Sequence, residues 1–230
     1  MTTYCFEPPA TASLPVEGRA ERFPVRRIFC IGRNYHAHAK EMGWTVDKST
    51  AQPFYFTKSL TALVASPAVV PFPPRTQDYQ HEVELVVAIG AAGHQVAVQD
   101  AAKLVFGYAV GLDMTRRDLQ WAAKQAGLPW DIGKDVEGGS VCSAIVPMPG
   151  QLLREGDIML QVNGQRRQAG NIHQLIWGVD EIIADLSTYY HLQPGDLIYT
   201  GTPEGVAPVQ AGDVLEGQVQ GVGAVRLQLT

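Results

Sequence analysis

Residues 80–90, QHEVELVVAIG, carry two glutamates at alternate positions straight into an apolar run. Side chains alternate across a β-strand, so Glu82 and Glu84 share one face. At about 3.3 Å rise per residue their Cβ atoms lie roughly 6–7 Å apart. Like charges at that range, at an effective dielectric of about 20, repel by roughly 2–3 kcal/mol. A chain that buries this strand must bring positive charge to it, or leave one carboxyl protonated. That requirement constrains the fold more than any other feature of the sequence.

The surroundings predict strands rather than long helices. The chain has 230 residues, with 23 glycines and 15 prolines, and that many punctuators mean many turns. At 46% hydrophobic and 18% charged residues it has material for one core, with a Pro-rich arm over residues 1–25 and a body over residues 26–230. Strands are expected at Ile28–Ile31, in PFYFTKS and ALVASPAVVPFP, in the glutamate segment and in FGYAVGLDM. Asn163–Gly164 marks a hairpin. Three Gly-Asp turns, in EGDIMLQV, PGDLIYTG and AGDVLEGQ, each open a β-type run. Short helices are predicted in HAHAKEMGW, in VQDAAKLVF and after Asp113, where Thr115 and Asp118 have the spacing of a capping box and Gly127 is a stop. PWDIGKD reads as a loop. VDEIIADLSTYY is the clearest amphipathic helix, with Ile182, Ile183, Leu186 and Tyr190 near one face.

The net charge of −5 argues against a nucleic-acid or anionic-membrane surface. No apolar run is long enough for a membrane span, and the start lacks a secretory pattern. Cys5, Cys30 and Cys142 are scattered and odd in number, which excludes a disulfide framework and points to the cytoplasm.

The chemistry-bearing residues fall into three groups. Asp113 ends an apolar β-run, so Glu82, Glu84 and Asp113 can project from adjacent strand ends. An all-oxygen set selects a hard divalent cation, Mg²⁺ first, then Mn²⁺ or Ca²⁺. On the following helix Arg117, Gln120 and Lys124 stand at i, i+3 and i+7 on one face, with Lys134 in the next loop. Arg and Gln suit a carboxylate, and a Lys near a metal suits an oxyanion or a developing enolate. In GRNYHAHAKEMG, His38 and Glu41 are i, i+3. A carboxylate that orients an imidazole suits a general base acting on water, and Gly32 and Gly43 would let the segment close as a lid. His81 reads as a hydrogen-bonded structural residue. In YTGTPEGV small residues let hydroxyls and N–H groups approach an anion. Walker A, GxSxG and HExxH patterns are absent.

Taken in order, CIGRNYHAHAKEMG, HEVELVVAIG, GYAVGLDMTRRDLQ, GLPWDIGKD and TGTPEGV resemble the fumarylacetoacetate hydrolase (FAH) family over nearly the whole chain. The likeness is nearest its short bacterial members that act on fumarylpyruvate and similar acylpyruvates. The resemblance implies a mixed α/β, β-rich fold, the FAH-type β-roll, with a few short helices and a lid helix near the N-terminus. It implies Mg²⁺ or Mn²⁺ on Glu82, Glu84 and Asp113, a His38–Glu41 catalytic dyad, Lys134 as the active-site lysine, and Arg117, Gln120 and Thr200 as substrate-binding residues. The implied reaction is metal-dependent hydrolysis of the C–C bond of a small-molecule β-diketo acid, fumarylpyruvate plus water giving fumarate and pyruvate, by a cytoplasmic homodimer. A decarboxylase or tautomerase of oxaloacetate-like acids using the same site is the alternative, and a non-catalytic dicarboxylate binder is a further one. Asp135, beside Lys134, departs from the family pattern, which has an aromatic or small residue there.

Overall fold

The computed structural model describes residues 2–230. In chain order the strands are β1 (Ser13–Pro15), β2 (Arg22–Pro24), β3 (Arg27–Gly32), β4 (Phe54–Lys58), β5 (Leu63–Ala65), β6 (Ala68–Val70), β7 (Tyr79–Gln80), β8 (Val83–Ile89) and β9 (Val105–Asp113). They continue as β10 (Thr115–Arg116), β11 (Ser140–Cys142), β12 (Val146–Pro147), β13 (Asp157–Val162), β14 (Gln165–Asn171), β15 (Asp196–Tyr199), β16 (Pro208–Val209), β17 (Val214–Val219) and β18 (Gly223–Leu229). The helices are α1 (His36–Glu41), α2 (Arg117–Ala126), α3 (Asp131–Lys134) and α4 (Val179–Tyr189).

The main sheet has the order β4-β3-β15-β8-β9-β11-β5, with β12 beside β9, and a second sheet has the order β14-β13-β17-β18-β6. This is a strand-rich mixed α/β roll. β8 lies in the middle of the main sheet and is buried on both faces. Leu85, Val87 and Ile89 join the large core shared with the second sheet and α4. Val86 and Ala88 face the other way, into a smaller core capped by Leu14, Val16, Phe23 and Val25. The same parity sorts Phe29 and Ile31 of β3 from Ile28 and Cys30, as the two-residue period of a strand demands. Residues 12–25 are thus more than an extended arm. β1 and β2 pair antiparallel, and their apolar side chains cover one face of the main sheet. Without them the apolar side chains that β3, β8 and β15 present on that face would lie open to water.

The three Gly-Asp turns open β13, β15 and β17, and Asn163–Gly164 closes the β13–β14 hairpin. Residues 98–104 form a 3₁₀ segment rather than an α-helix. α2 ends where Gly127 turns left-handed at φ 66°. Its start differs from the capping-box expectation. Thr115 sits in β10, paired with Gln80, and its hydroxyl donates to the Asp113 carbonyl. Asp118 instead accepts from the Thr76 hydroxyl and the Gln77 N–H, tying α2 to the loop before β7. PWDIGKD is no loop either, since α3 forms over Asp131–Lys134. Tyr190 lies beyond the last turn of α4 in extended backbone, half-exposed, with its ring against Phe29. Among the described residues no helix is long and apolar enough to cross a membrane.

Candidate active site

The register of the central strands builds the acidic cluster. β8 and β9 are antiparallel with Val83 opposite Leu112, and the Asp113 N–H donates to the Glu82 carbonyl at 2.9 Å. Glu82 and Asp113 are therefore direct neighbours across the ladder, and Glu84 follows on the same face two residues along. Each of the three buried carboxylates offers an oxygen, and these atoms all lie within 4.8 Å of one another.

Positive charge does come to meet them. Lys134 Nζ donates to Glu82 Oε2 and to Asp113 Oδ2, both at 2.7 Å. Its reach depends on α3 packing against α2. A Cβ on Gly133 would stand 2.7 Å from the Gln120 backbone nitrogen, so only glycine lets the two helices close. Arg117 donates once from each guanidinium nitrogen, to Glu82, to Gln80 Oε1 at 2.8 Å and to Gln120 Oε1 at 2.6 Å, which leaves a second N–H on each terminal nitrogen. Lys58, at the end of β4, approaches Asp113 Oδ1 to 2.8 Å. It was not anticipated. Its signal was a lysine at the same strand parity as Phe54 and Phe56, closing an aromatic strand that pairs with β3.

Three carboxylates thus face three cations, but unevenly. Burial pushes the Glu82 carboxyl up, and the charges of Lys134 and Arg117 more than reverse this, holding it well below the usual range. Glu84 goes the other way. Burial and the neighbouring Asp113 and Glu82 charges raise it well above the usual range. Its hydrogen-bond donor is the Gly201 N–H at 2.7 Å. The Asp113 Oδ1 atom likewise has a lysine close in distance but no aligned hydrogen bond. A divalent cation among the three oxygens would supply the charge Glu84 lacks and occupy the idle lone pair of Asp113. Oxygen-only donors in a buried trio suit Mg²⁺ or Mn²⁺.

The same cavity holds the histidine helix. His38 lines it together with Glu82, Glu84, Arg117, Gln120 and Lys134. His38 Nδ1 lies 3.2 Å from Glu41 Oε2. Glu41 also accepts from the Gly205 N–H at 3.1 Å, so it links α1 to the loop after β15. Burial pushes Glu41 up, but its bonds with His38 and with the Gly205 and Val206 N–H groups leave it net below its usual value.

The TGTPEGV loop contributes differently from expectation. Thr200 is fully buried, and its hydroxyl donates to the Leu85 carbonyl at 2.9 Å. Gly201 and Thr202 line the cavity in its place. Gly201 has φ 96°, and a Cβ there would press 2.8 Å from Asn34 Cβ. His81 is buried with Nδ1 2.9 Å from Gln168 Oε1, and Gln168 donates onward to Thr202 and to the Pro203 carbonyl. This network braces the loop behind the cavity. Asp135 faces away from the site and accepts from the Ser59 N–H and hydroxyl, both at 2.9 Å.

Residues 27–230 match the family model described as "Fumarylacetoacetate (FAA) hydrolase C-terminal". The chain belongs to the fumarylacetoacetate hydrolase family. It is 61% identical to a fumarylpyruvate hydrolase from Ralstonia sp over 81% of this chain and 97% of that protein. It is 36% identical to a mitochondrial oxaloacetate tautomerase from Arabidopsis thaliana over 88% of this chain and 90% of that one. The crystal structure of the fumarylpyruvate hydrolase from Pseudomonas aeruginosa, in complex with Mn²⁺ and pyruvate, superposes with a TM-score of 0.95 at 42% identity, covering 99% of each chain.

Proposed function

We propose that this protein hydrolyses the C–C bond of an acylpyruvate, with fumarylpyruvate and water giving fumarate and pyruvate. The observation that carries the reading is the meeting, in one cavity, of a buried carboxylate trio whose Glu84 has no cationic partner with a histidine already oriented by a carboxylate. The likeness to two fumarylpyruvate hydrolases supports the choice of acyl group.

Glu82, Glu84 and Asp113 hold the divalent cation, which supplies Lewis-acid stabilisation of negative charge on the pyruvyl oxygens. Glu41 accepts the Nδ1 proton of His38, which leaves the Nε2 lone pair to take a proton from water. The resulting hydroxide adds to the acyl carbonyl carbon. The bond to the pyruvyl methylene then breaks, and its electron pair leaves as an enolate. The Lys134 ammonium stabilises that charge as it develops. The proton on His38 returns to the carbon, giving pyruvate. Arg117 and Gln120 hold the substrate's pyruvyl end, and the Thr200 segment shapes the wall beside it. Residues 26–230 form the catalytic unit and residues 1–25 a covering arm. The enzyme acts as a homodimer, and exposed Trp121, Leu128 and Ile132 are apolar surface of the kind a second copy covers. Free thiols at all three cysteines support a cytoplasmic setting.

Mn²⁺-loaded protein mixed with fumarylpyruvate should lose the diketo-enol absorbance and release equimolar fumarate and pyruvate. Unchanged absorbance at micromolar enzyme removes the proposal. The tautomerase relatives make oxaloacetate the competing substrate. His38→Ala separates the two, because hydrolysis needs the base for water. Hydrolysis should fall by about 10²–10⁴-fold, whereas metal-assisted rearrangement of oxaloacetate should retain most of its rate.

A further inference from the structure

Two cations in this cavity have no role in the chemistry above. Lys124 completes the i, i+3, i+7 face of α2 begun by Arg117 and Gln120, and Arg33 follows β3 immediately. Both line the cavity. Both sit on one indole: the Arg33 guanidinium lies 3.6 Å from the Trp44 ring centroid, and Lys124 Nζ lies 4.0 Å from it. Lys124 also lies 4.2 Å from the Trp121 ring, and Phe54 and Trp130 extend the aromatic wall around Arg33.

What sets this pair apart is the absence of an anion. Lys58, Lys134 and Arg117 are matched by Asp113 and Glu82. Among the described residues neither Arg33 nor Lys124 makes an ion pair, and the buried Arg33 Nε has no hydrogen-bond partner. Partial burial, followed by the adjacent Arg33 charge, pulls Lys124 below its ordinary value. Arg33 reaches this position through backbone at φ 60°, a left-handed conformation unusual for arginine. Two cations without an acidic partner against one indole, one with an idle buried N–H, are suited to an anion.

The spacing fits one particular anion. Lys124 stands seven residues beyond Arg117, about 10 Å along the helix at 1.5 Å per residue. A seven-carbon diacid with six C–C bonds of about 1.5 Å spans roughly 7–8 Å end to end in extended form. With its pyruvyl end beside Glu82 and Arg117, its far carboxylate would extend toward the part of the same cavity lined by Lys124 and Arg33. We propose that Arg33 and Lys124, presented on Trp44, bind the distal carboxylate of the acyl group and make the site selective for dianionic acylpyruvates. This assignment rests on the hydrolase reading above and deepens it. A simple alkyl acylpyruvate would leave both cations unanswered.

Steady-state kinetics of Mn²⁺-loaded wild type, Lys124→Met and Lys124→Arg on fumarylpyruvate and acetylpyruvate test the assignment. Acetylpyruvate shares the reacting centre and lacks the distal carboxylate. Lys124→Met should raise the KM for fumarylpyruvate about tenfold or more, with kcat within about threefold, as loss of a charge-assisted hydrogen bond to bound substrate predicts. The ratio of kcat/KM values, fumarylpyruvate over acetylpyruvate, should fall by a similar factor, and Lys124→Arg should restore most of it. Arg33→Gln should lower the ratio in the same direction. Equal losses on both substrates, or a ratio within about twofold of wild type, overturn the assignment. If wild type turns over neither substrate, the hydrolase reading fails. Calorimetry with fumarate and crotonate then decides the cation pair separately. A preference for the dianion that Lys124→Met abolishes upholds it, and equal binding of the two acids overturns it.

Discussion

Glu84 is the residue on which the metal reading turns. Without an ion it is a buried carboxyl facing two others, with one N–H donor and no cationic contact of its own. Lys134 and Arg117 serve Glu82, while Lys134 and Lys58 serve Asp113. Glu84→Gln keeps the shape and the Gly201 bond, so the metal-free protein should melt within about 2 °C of wild type. Mn²⁺ affinity should drop about a hundredfold or more, because one of three anionic ligands is gone. Calorimetric titration with Mn²⁺ and a melting curve in chelator check the two halves, and a large loss of metal-free stability would mean that Glu84 is structural. The cysteines differ just as sharply among themselves. Cys30 and Cys142 are buried in the small core, and burial pushes the Cys142 thiol up to about 12. A thiol reagent should therefore modify Cys5 alone in the native state and all three cysteines in denaturant.

At the level of elements, the site depends on where helices are allowed to pack. α3 is four residues long and has no side-chain cap, so its position comes from its contact with α2. Gly133→Ala forces a methyl against the Gln120 backbone and should cost about 1–3 kcal/mol. Activity should fall further than this stability loss implies, since Lys134 moves away from Glu82 and Asp113. Comparing the melting shift with kcat/KM measures the difference. The sequence showed where α2 stops, because Gly127 supplies a left-handed residue at the right place. It did not show where α2 starts. Asp118 has the type and spacing for a local capping bond, but Thr76 and Gln77, about 40 residues earlier in the chain, win its oxygens once β7 and β10 pair. α3 was hidden for the same reason, since Trp130-Asp-Ile-Gly133 carries little helical propensity and the segment forms against a neighbour.

Over the whole molecule, metal held by the acidic trio would be coupled to the stability of the fold. The trio lies where β8 meets β9, so an ion bound there would tie these two central strands together. At free metal near 100 times Kd, linkage adds about 2.7 kcal/mol. For a chain of this size that corresponds to a rise of about 5–10 °C in Tm. Adding chelator to the loaded protein should reverse it, and a Tm indifferent to Mn²⁺, Mg²⁺ and chelator would leave the acidic trio without a ligand.

The sequence alone determined the strand-rich class, the turns at Asn163–Gly164 and at the Gly-Asp steps, and the candidate acids Glu82, Glu84 and Asp113. These follow from local rules: a two-residue period, backbone freedom at glycine, and the cost of carrying carboxylates into an apolar strand. Only the tertiary structure decided which cation answers which acid. It alone brought Lys58 to Asp113, committed the Thr200 hydroxyl to Leu85, turned Asp135 toward Ser59, and left Arg33 and Lys124 together on Trp44 without an anion. Apart from Arg33 and Trp44, which are 11 positions apart, those pairings join residues from 21 to 115 positions apart. Charge interactions fall off with distance in space and are blind to distance along the chain, so no local pattern can register them.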